Sequence, residues 1–501
     1  AGMRLDRVYV LGMVEGRLPV RGHEDPLLPD RERDAAHIDP RLRPHEQRRD
    51  YLAALASAPE RILLHPQANL RGQRELLPSR WLTEAASLLA GRPVDTSEFA
   101  KLTNNAWFTK IPSFRAGVLE SPEPATAQER RMRRLHLPPS DPRHRAVLTE
   151  HPRLAAGLEA IRARMGNRFT PWDGVIGPLE ALAPSPNRPT SPTSLEHWAT
   201  CPMRYFLSSV LHVEEFERPE EELVITPLER GSLMHDILEE FFKSAGPREP
   251  GAAWTDDDRE RLRQLTDAAC DAAERRGIVG KPLLWHAERQ RIHRSLQIFL
   301  DREADWREQG YRFDRAEFSF GNTDGRGPLV VELPDGRRVA FRGRIDRIDL
   351  GPNGSIAVYD YKTGKGEKYR PIKEPGTRTD HGERLQLPVY ALAARRELGD
   401  ETTPVEAYYW FVDHDAKENM LGYALDDDAY QQFARDLSLV LRGIENGLFP
   451  ARSGEVDRQS FENCTYCPYD RLCPPDRHRA WERKSGDPVL EPLHELKGGQ
   501  A

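Results

Sequence analysis

At 501 residues the chain is longer than one ordinary hydrophobic core, so two or three domains are expected. Hydrophobic residues at 38% and charged residues at 31% suit a folded protein with a polar surface, and no apolar run of about eighteen residues predicts a membrane span. A net charge of −7 excludes a global basic field, although local arginine patches can still follow a phosphate backbone. The Ala-Gly-Met start has no charged-then-apolar signal segment, so a cytoplasmic piece of a longer polypeptide is expected. Only 11 of the 73 Lys and Arg residues are lysine, so a lysine inside a motif is less often accidental here.

Residues 1–88 predict alternating strand and helix: an apolar β run from Arg7 to Met13, a turn over Glu15–Pro19, then a polar loop. A helix from about His45 to Ala58 and a short strand Arg61–His65 follow. Across 89–187 the pattern weakens into charged helices broken by prolines, which predicts a connecting region. From 188 to 482 the signals sharpen into one mixed α/β domain, ahead of a polar tail, 483–501. Ser194 is expected to cap a helix running through Trp198 towards Leu211, and Gly231–Lys243 predicts a second helix. A helix pair spans 255–307, then strands are predicted at Phe313–Phe320, Leu329–Leu333, Arg338–Leu350 and Ser355–Tyr361. Pro334-Asp335-Gly336 and Pro352-Asn353-Gly354 supply the turns. Helix 383–398, strand 405–412 and helix 429–446 complete the pattern.

The chemistry concentrates at the end of the fourth of these strands. A strand's period of two puts Asp360 and Lys362 on one face, and the Pro-Asn-Gly turn brings Asp346 alongside. Two carboxylates converging on one point call for a cation between them, and hard oxygen ligands suit Mg²⁺ or Mn²⁺. A lysine beside such an ion can orient water or stabilise transition-state charge. His235, on the 231–243 helix, can add a further ligand. Taken alone, Asp-x-Lys at a strand end is commonly a surface ion pair, and Asp349 is expected to be a solvated turn carboxylate of that ordinary kind. The combination of helix His, strand Asp and Asp-Tyr-Lys fourteen residues on points instead to a metal-dependent centre.

Gly343–Asp346, Asp360-Tyr361-Lys362-Thr363-Gly364, and Gln386 with Tyr390 in Gln-x-x-x-Tyr spacing resemble the motifs of RecB-like PD-(D/E)XK nucleases. Gly231–His235 resembles that family's helix bearing a metal-binding histidine. The resemblance, over roughly 190–480, implies a restriction-endonuclease-like mixed sheet flanked by helices, with His235, Asp346 and Asp360 as divalent-metal ligands. It also implies Lys362 as the catalytic lysine, and Gln386 and Tyr390 as orienting residues.

Cys464-x₂-Cys467-x₅-Cys473 is too dense for chance core cysteines, and spacing alone leaves zinc and an iron–sulfur cluster both open. Cys201-Pro202-x-Arg204-Tyr205-Phe206 resembles the upstream cysteine of AddB-type and CRISPR-system RecB-like nucleases, which implies one [4Fe–4S] cluster shared by Cys201, Cys464, Cys467 and Cys473. Such a cluster would staple the tail to the first helix of the domain. Cys270 reads as core.

Residues 1–19, Glu46–Arg49 and Leu77–Trp81 are similar to the end of a UvrD-type superfamily 1 helicase motor. Where that family has Thr-Arg-Ala, this chain has Ala56-Ser57-Ala58, and no phosphate-cradling G-x-x-x-x-G-K-[ST] occurs, so no ATPase is expected of this chain. Together the resemblances imply part of a bacterial helicase–nuclease of the RecB/AddB/AdnA-AdnB kind. Its expected activity is that of a deoxyribonuclease, with an exonuclease mode expected, and with DNA and a second subunit as partners. A catalytically idle DNA-scanning fold and a stand-alone CRISPR-associated nuclease are the alternatives.

Overall fold

The computed structural model describes residues 3–20, 29–36, 42–68, 75–178, 183–214, 223–249, 252–321, 326–457 and 460–498. They form two compact units, 1–151 and 152–501. Most of the polar loop expected after Pro19 lies outside the described residues, as do the last three residues of the tail.

In the first unit β1 (Arg7–Val10) pairs in parallel with β2 (Glu60–Leu63). Parallel neighbours need a crossover, and the chain between them holds α1 (Asp30–Ala35) and α2 (Leu42–Ala56). α3 (Arg80–Ala90) starts where Ser79 Oγ accepts the Trp81 N–H at 3.2 Å, and ends at Gly91, whose φ of 65° suits glycine. Met13, Tyr51, Trp81, Leu82, Ala86 and Phe99 form the core, with Tyr51 stacked on Trp81 at 4.9 Å between ring centres. Four short helices complete the unit: α4 (Thr96–Lys101), α5 (Phe114–Glu120), α6 (Ala127–Leu135) and α7 (Pro142–Glu150). Each begins on an Asp, Ser or Thr whose side chain accepts a first-turn N–H, which is how such short segments hold helical form among prolines.

The second unit opens with α8 (Pro152–Met165), α9 (Pro192–Thr200) and α10 (Pro202–Tyr205). Ser191, not Ser194, is the cap of α9: its Oγ accepts the Ser194 N–H at 3.2 Å, and Pro192 takes the first helical position, where its missing N–H costs nothing. The helix does not run on to Leu211. Pro202 disfavours helical backbone at Cys201, which is extended at φ −153° and ψ 106° and so stands at the corner between α9 and α10.

Next come α11 (Pro227–Ala245), α12 (Asp256–Arg276) and α13 (Pro282–Arg307). The strands are β3 (Arg312–Phe320), β4 (Leu329–Glu332), β5 (Arg338–Phe341), β6 (Gly343–Leu350) and β7 (Ile356–Lys362). After β7 follow α14 (Gln386–Leu398), β8 (Val405–Phe411), β9 (Met420–Ala424) and α15 (Asp427–Glu445). A two-residue pair, β10 (Val456–Asp457) and β11 (Ser460–Phe461), precedes α16 (Arg477–Lys484) and α17 (Glu491–Leu496).

The main sheet has the order β3-β6-β7-β8-β9, antiparallel except for the parallel pair β7–β8, whose crossover is α14. The single strand expected at Arg338–Leu350 is two. β5 pairs with β4 in a separate hairpin, and the chain turns into the main sheet at Arg342, whose N–H donates to Thr190 O at 2.9 Å. β7 shows how the two faces divide. Ala357, Tyr359 and Tyr361 pack with Phe241, Phe242 and Phe299 of α11 and α13. Ile356 and Val358 pack on the opposite side with Leu387 and Val389 of α14 and Leu437 of α15. Burying aromatic side chains such as Phe299 contributes about 2–3 kcal/mol each.

Candidate active site and cysteine cluster

Asp360 and Lys362 end β7 on the α14 side, just outside the carboxyl end of a parallel strand, where open α/β sheets form their crevices. Their charged groups form an ion pair. Gln386, the first residue of α14, joins both: its Nε2 donates to Asp360 Oδ1 at 3.1 Å and its Oε1 accepts from Lys362 Nζ at 3.0 Å. Burial works against the Lys362 ammonium, but the Asp360 carboxylate and other negative charge nearby outweigh it and raise its pKa. Burial also raises the pKa of Asp360, with Lys362 opposing and Asp346 adding to the rise.

His235 comes from α11 on the other side of the strand end. Its Nδ1 lies 3.3 Å from Asp346 Oδ1 and its Nε2 3.2 Å from the Tyr361 carbonyl oxygen. Asp346 Oδ2 accepts the Tyr361 N–H at 2.6 Å, which locks β6 to β7 at the centre. Burial alone would push the imidazole pKa down; the Asp346 hydrogen bond and the charges of Asp346, Asp360 and Glu317 reverse this and lift it to about 9. The imidazolium would have to shed that proton before it could ligate a metal.

Tyr390, one turn along α14 from Gln386, is buried edge-on to Phe320. Gly343 is required here: a Cβ on it would lie 2.8 Å from Phe320 Cζ and 3.0 Å from Tyr390 Cε1. The six residues read from the sequence thus gather around the end of β7.

Two further carboxylates were not singled out by the sequence. Glu317 of β3 has a ligand oxygen within 4.8 Å of ligand atoms of both His235 and Asp346, a trio with the donors for a divalent ion. Asp360 is outside that trio and faces Lys362 and Gln386. Burial, and next the charge of Asp346, push the Glu317 carboxyl up to about 7, while its partner Arg344 pulls the other way. In sequence it is one of two acids, with Asp314, in the mixed segment Phe313–Phe320 and nothing sets it apart; its φ of 53° marks a local kink in β3. Glu196 of α9 is the second: its Oε1 accepts the N–H groups of Leu385 and Gln386 at 2.6 and 3.0 Å. A second acidic trio, Asp413, His414 and Asp415, is already neutralised by Arg230 and Arg291, at 2.9 and 3.0 Å from Asp413.

The four remaining motif residues meet at the other end of α9. Asn463 Nδ2 and an Arg452 guanidinium nitrogen donate to the Thr200 carbonyl at 3.1 and 3.2 Å, fastening the tail beside Cys201. Burial, followed by the charge of Cys201, pushes the Cys473 thiol up to about 12, with Cys467 and Cys464 adding to it, so the four sulfurs share one neighbourhood. Arg477 Nε donates to Cys464 Sγ at 3.4 Å. Cys270 is apart, fully buried in α12.

Residues 189–474 match the PD-(D/E)XK nuclease superfamily. An ATP-dependent helicase/deoxyribonuclease subunit of Moorella thermoacetica is 28% identical over 436 residues, covering 81% of this chain and 35% of that protein. Its namesake from Pelotomaculum thermopropionicum is 29% identical over 437 residues, again covering 81% of this chain and 35% of its own length. That of Symbiobacterium thermophilum is 30% identical over 219 residues, or 41% of this chain and 17% of the relative. The chain therefore spans about a third of the length of the Moorella and Pelotomaculum relatives. With a match that runs from α9 through all four motif cysteines, the chain belongs to the PD-(D/E)XK nuclease superfamily.

Proposed function

We propose that this chain is the deoxyribonuclease module of a helicase–nuclease, hydrolysing DNA phosphodiesters during the processing of broken ends. One observation carries the reading: Lys362, Asp360 and Gln386 form a closed triangle beside the His235–Asp346–Glu317 group. That donor set, two carboxylates and an imidazole with Asp360 adjacent, fits Mg²⁺ or Mn²⁺. Bound there, the ion would supply Lewis-acid polarisation of the phosphate and a more acidic water. Lys362, paired with Asp360 and held by Gln386, would stabilise the negative charge developing on the phosphate. Gln386 holds Lys362 and Asp360 in register, and Tyr390 buttresses the glycine that opens β6. Single strands and free ends are the proposed substrates.

The cysteine quartet is proposed to hold a [4Fe–4S] cluster. The four thiols interact in one neighbourhood, and four thiolates are the ligand set that such a cluster takes. The β1–α2–β2 crossover suits the remnant of a helicase motor, and the names of the relatives support a partner subunit. No helix among the described residues is long and apolar enough to cross a membrane.

The test is cleavage of single-stranded DNA in Mg²⁺ or Mn²⁺. Asp360→Ala should abolish cutting while DNA binding stays near wild type, at some cost in stability because Lys362 and Gln386 lose their carboxylate partner. Lys362→Ala should be inactive yet still bind metal. Wild-type cutting by Asp360→Ala would refute the assignment of the centre, and a wild-type chain that binds DNA without cutting it would leave the idle scanning fold.

A further inference from the structure

α14 has no cap of its own. Leu385, the residue before it, offers no side-chain acceptor, yet the first amides of a helix need one. A single oxygen of Glu196, 189 positions earlier in sequence, accepts the Leu385 N–H at 2.6 Å, and the same oxygen accepts the Gln386 N–H at 3.0 Å. A carboxylate in that position also complements the positive end of the helix dipole.

The first turn of α14 carries part of the centre itself. Gln386 donates to Asp360 and accepts from Lys362, and because the two ends of an amide differ, it can serve both only in one orientation. A small rotation of the helix start would break one or both bonds.

Glu196 is itself held firmly. Its neighbours Leu195, Trp198 and Ala199 are fully buried, and Trp198 Nε1 donates to Leu448 O at 2.8 Å. Gly443 of α15 lies so close beneath that indole that a Cβ there would stand 2.0 Å from Trp198 Cζ2. α9 therefore cannot slide past α15. Five residues past Glu196 the chain reaches Cys201, about 7 Å along a helical axis.

We propose that Glu196 is a positioning residue of the nuclease centre: it fixes the first turn of α14 so that Gln386 holds Lys362 against Asp360, and α9 ties this geometry to the cysteine-bearing tail. The inference rests on the nuclease reading for its rate effect, but not for its structural half.

The test compares the wild-type chain with Glu196→Ala and Glu196→Gln. Glu196→Ala should lower kcat on single-stranded DNA by about tenfold or more, with KM and Mn²⁺ affinity within about twofold of wild type. Glu196→Gln should recover most of that loss, because its amide oxygen can accept the same two N–H groups. In metal-free protein, hydrogen exchange at Leu385 and Gln386 should quicken by about tenfold in Glu196→Ala and stay near wild type over β7. Wild-type kcat in Glu196→Ala, unchanged exchange at Leu385 and Gln386, or an equal loss of rate in both variants would each overturn the proposal. If Glu196→Ala fails to fold, wild-type rate and exchange in Glu196→Asp, whose shorter arm retracts the acceptor, would overturn it instead. A wild-type chain that cuts no DNA would sink the nuclease reading, while the exchange data would still decide whether Glu196 holds the helix.

Discussion

Burial, with the Arg204 guanidinium adding to it, pushes the His197 imidazole down to about 4. Its Nδ1 lies 3.4 Å from Ser208 Oγ. In the unfolded chain the same group titrates near 6.5, so between about pH 6.5 and 4 the unfolded state binds a proton that the fold refuses. Stability from this residue is therefore fully present above 6.5 and is lost as pH falls towards 4, by about 3 kcal/mol at most. Urea unfolding should show wild type losing stability over that window more steeply than His197→Gln; identical slopes would mean that the imidazole is solvated. At this scale the sequence was informative where residue type and spacing coincide, as for His235, Asp346, Asp360, Lys362, Gln386 and Tyr390. It was silent on Glu196 and Glu317, because each reaches the centre through a tertiary contact that no local spacing encodes.

Among the elements, β6 carries the sharpest departure from expectation. Asp349 was expected in solvent, yet it is fully buried, with both oxygens on Arg347 at 2.6 and 2.8 Å. Arg347 also reaches Glu303 of α13 at 2.9 Å, and its guanidinium lies 4.4 Å from the Phe242 ring centre. Trp254 Nε1 donates to Glu303 at 2.7 Å. The network is buried because α13 lies across the strand, and a turn motif three residues away gives no sign of that. Removing one partner of such a group leaves the others charged and dry. Arg347→Met should thus destabilise the second unit by about 3–5 kcal/mol, read from urea midpoints. A change under about 1 kcal/mol would show that water reaches Glu303 and Asp349. Periodicity found most elements to within a few residues but missed β9, whose Met-Leu-Gly-Tyr-Ala sequence lacks β-branched residues. Gly422 is needed there, since a Cβ would stand 2.0 Å from Ala407 O. α14 starts at Gln386 and not Glu383, and the chain reaches it through Asp380, His381 and Gly382 at φ of 48°, 55° and 79°, left-handed backbone that no right-handed helix accepts.

On the scale of the molecule, Cys201 and Cys464 lie 263 positions apart in sequence, and everything that builds the centre lies between them except Glu196, just ahead of Cys201. Closing so long a loop costs the unfolded chain far more freedom than the folded one, so a group bound by both ends converts its binding energy into folding energy. Protein contacts also cross the junction: two hydrogen bonds to the Thr200 carbonyl, one from the Met203 N–H to Pro450 O at 3.2 Å and one from the Tyr469 hydroxyl to Val213 O at 3.0 Å. If Cys201, Cys464, Cys467 and Cys473 share a [4Fe–4S] cluster, anaerobically purified protein should be brown and carry about four irons and four sulfides per chain. Replacing any one of the four by Ala should bleach the colour, lower the thermal midpoint of the second unit and slow DNA cleavage, since α9 loses its anchor at one end and holds α14 at the other. Cys270→Ala should keep the colour and the iron, because that thiol is enclosed in α12 away from the four, although filling its space with a smaller side chain costs some stability. Colourless protein with one tightly held zinc, prepared under iron-replete anaerobic conditions, would rule out the cluster and leave a zinc staple in its place.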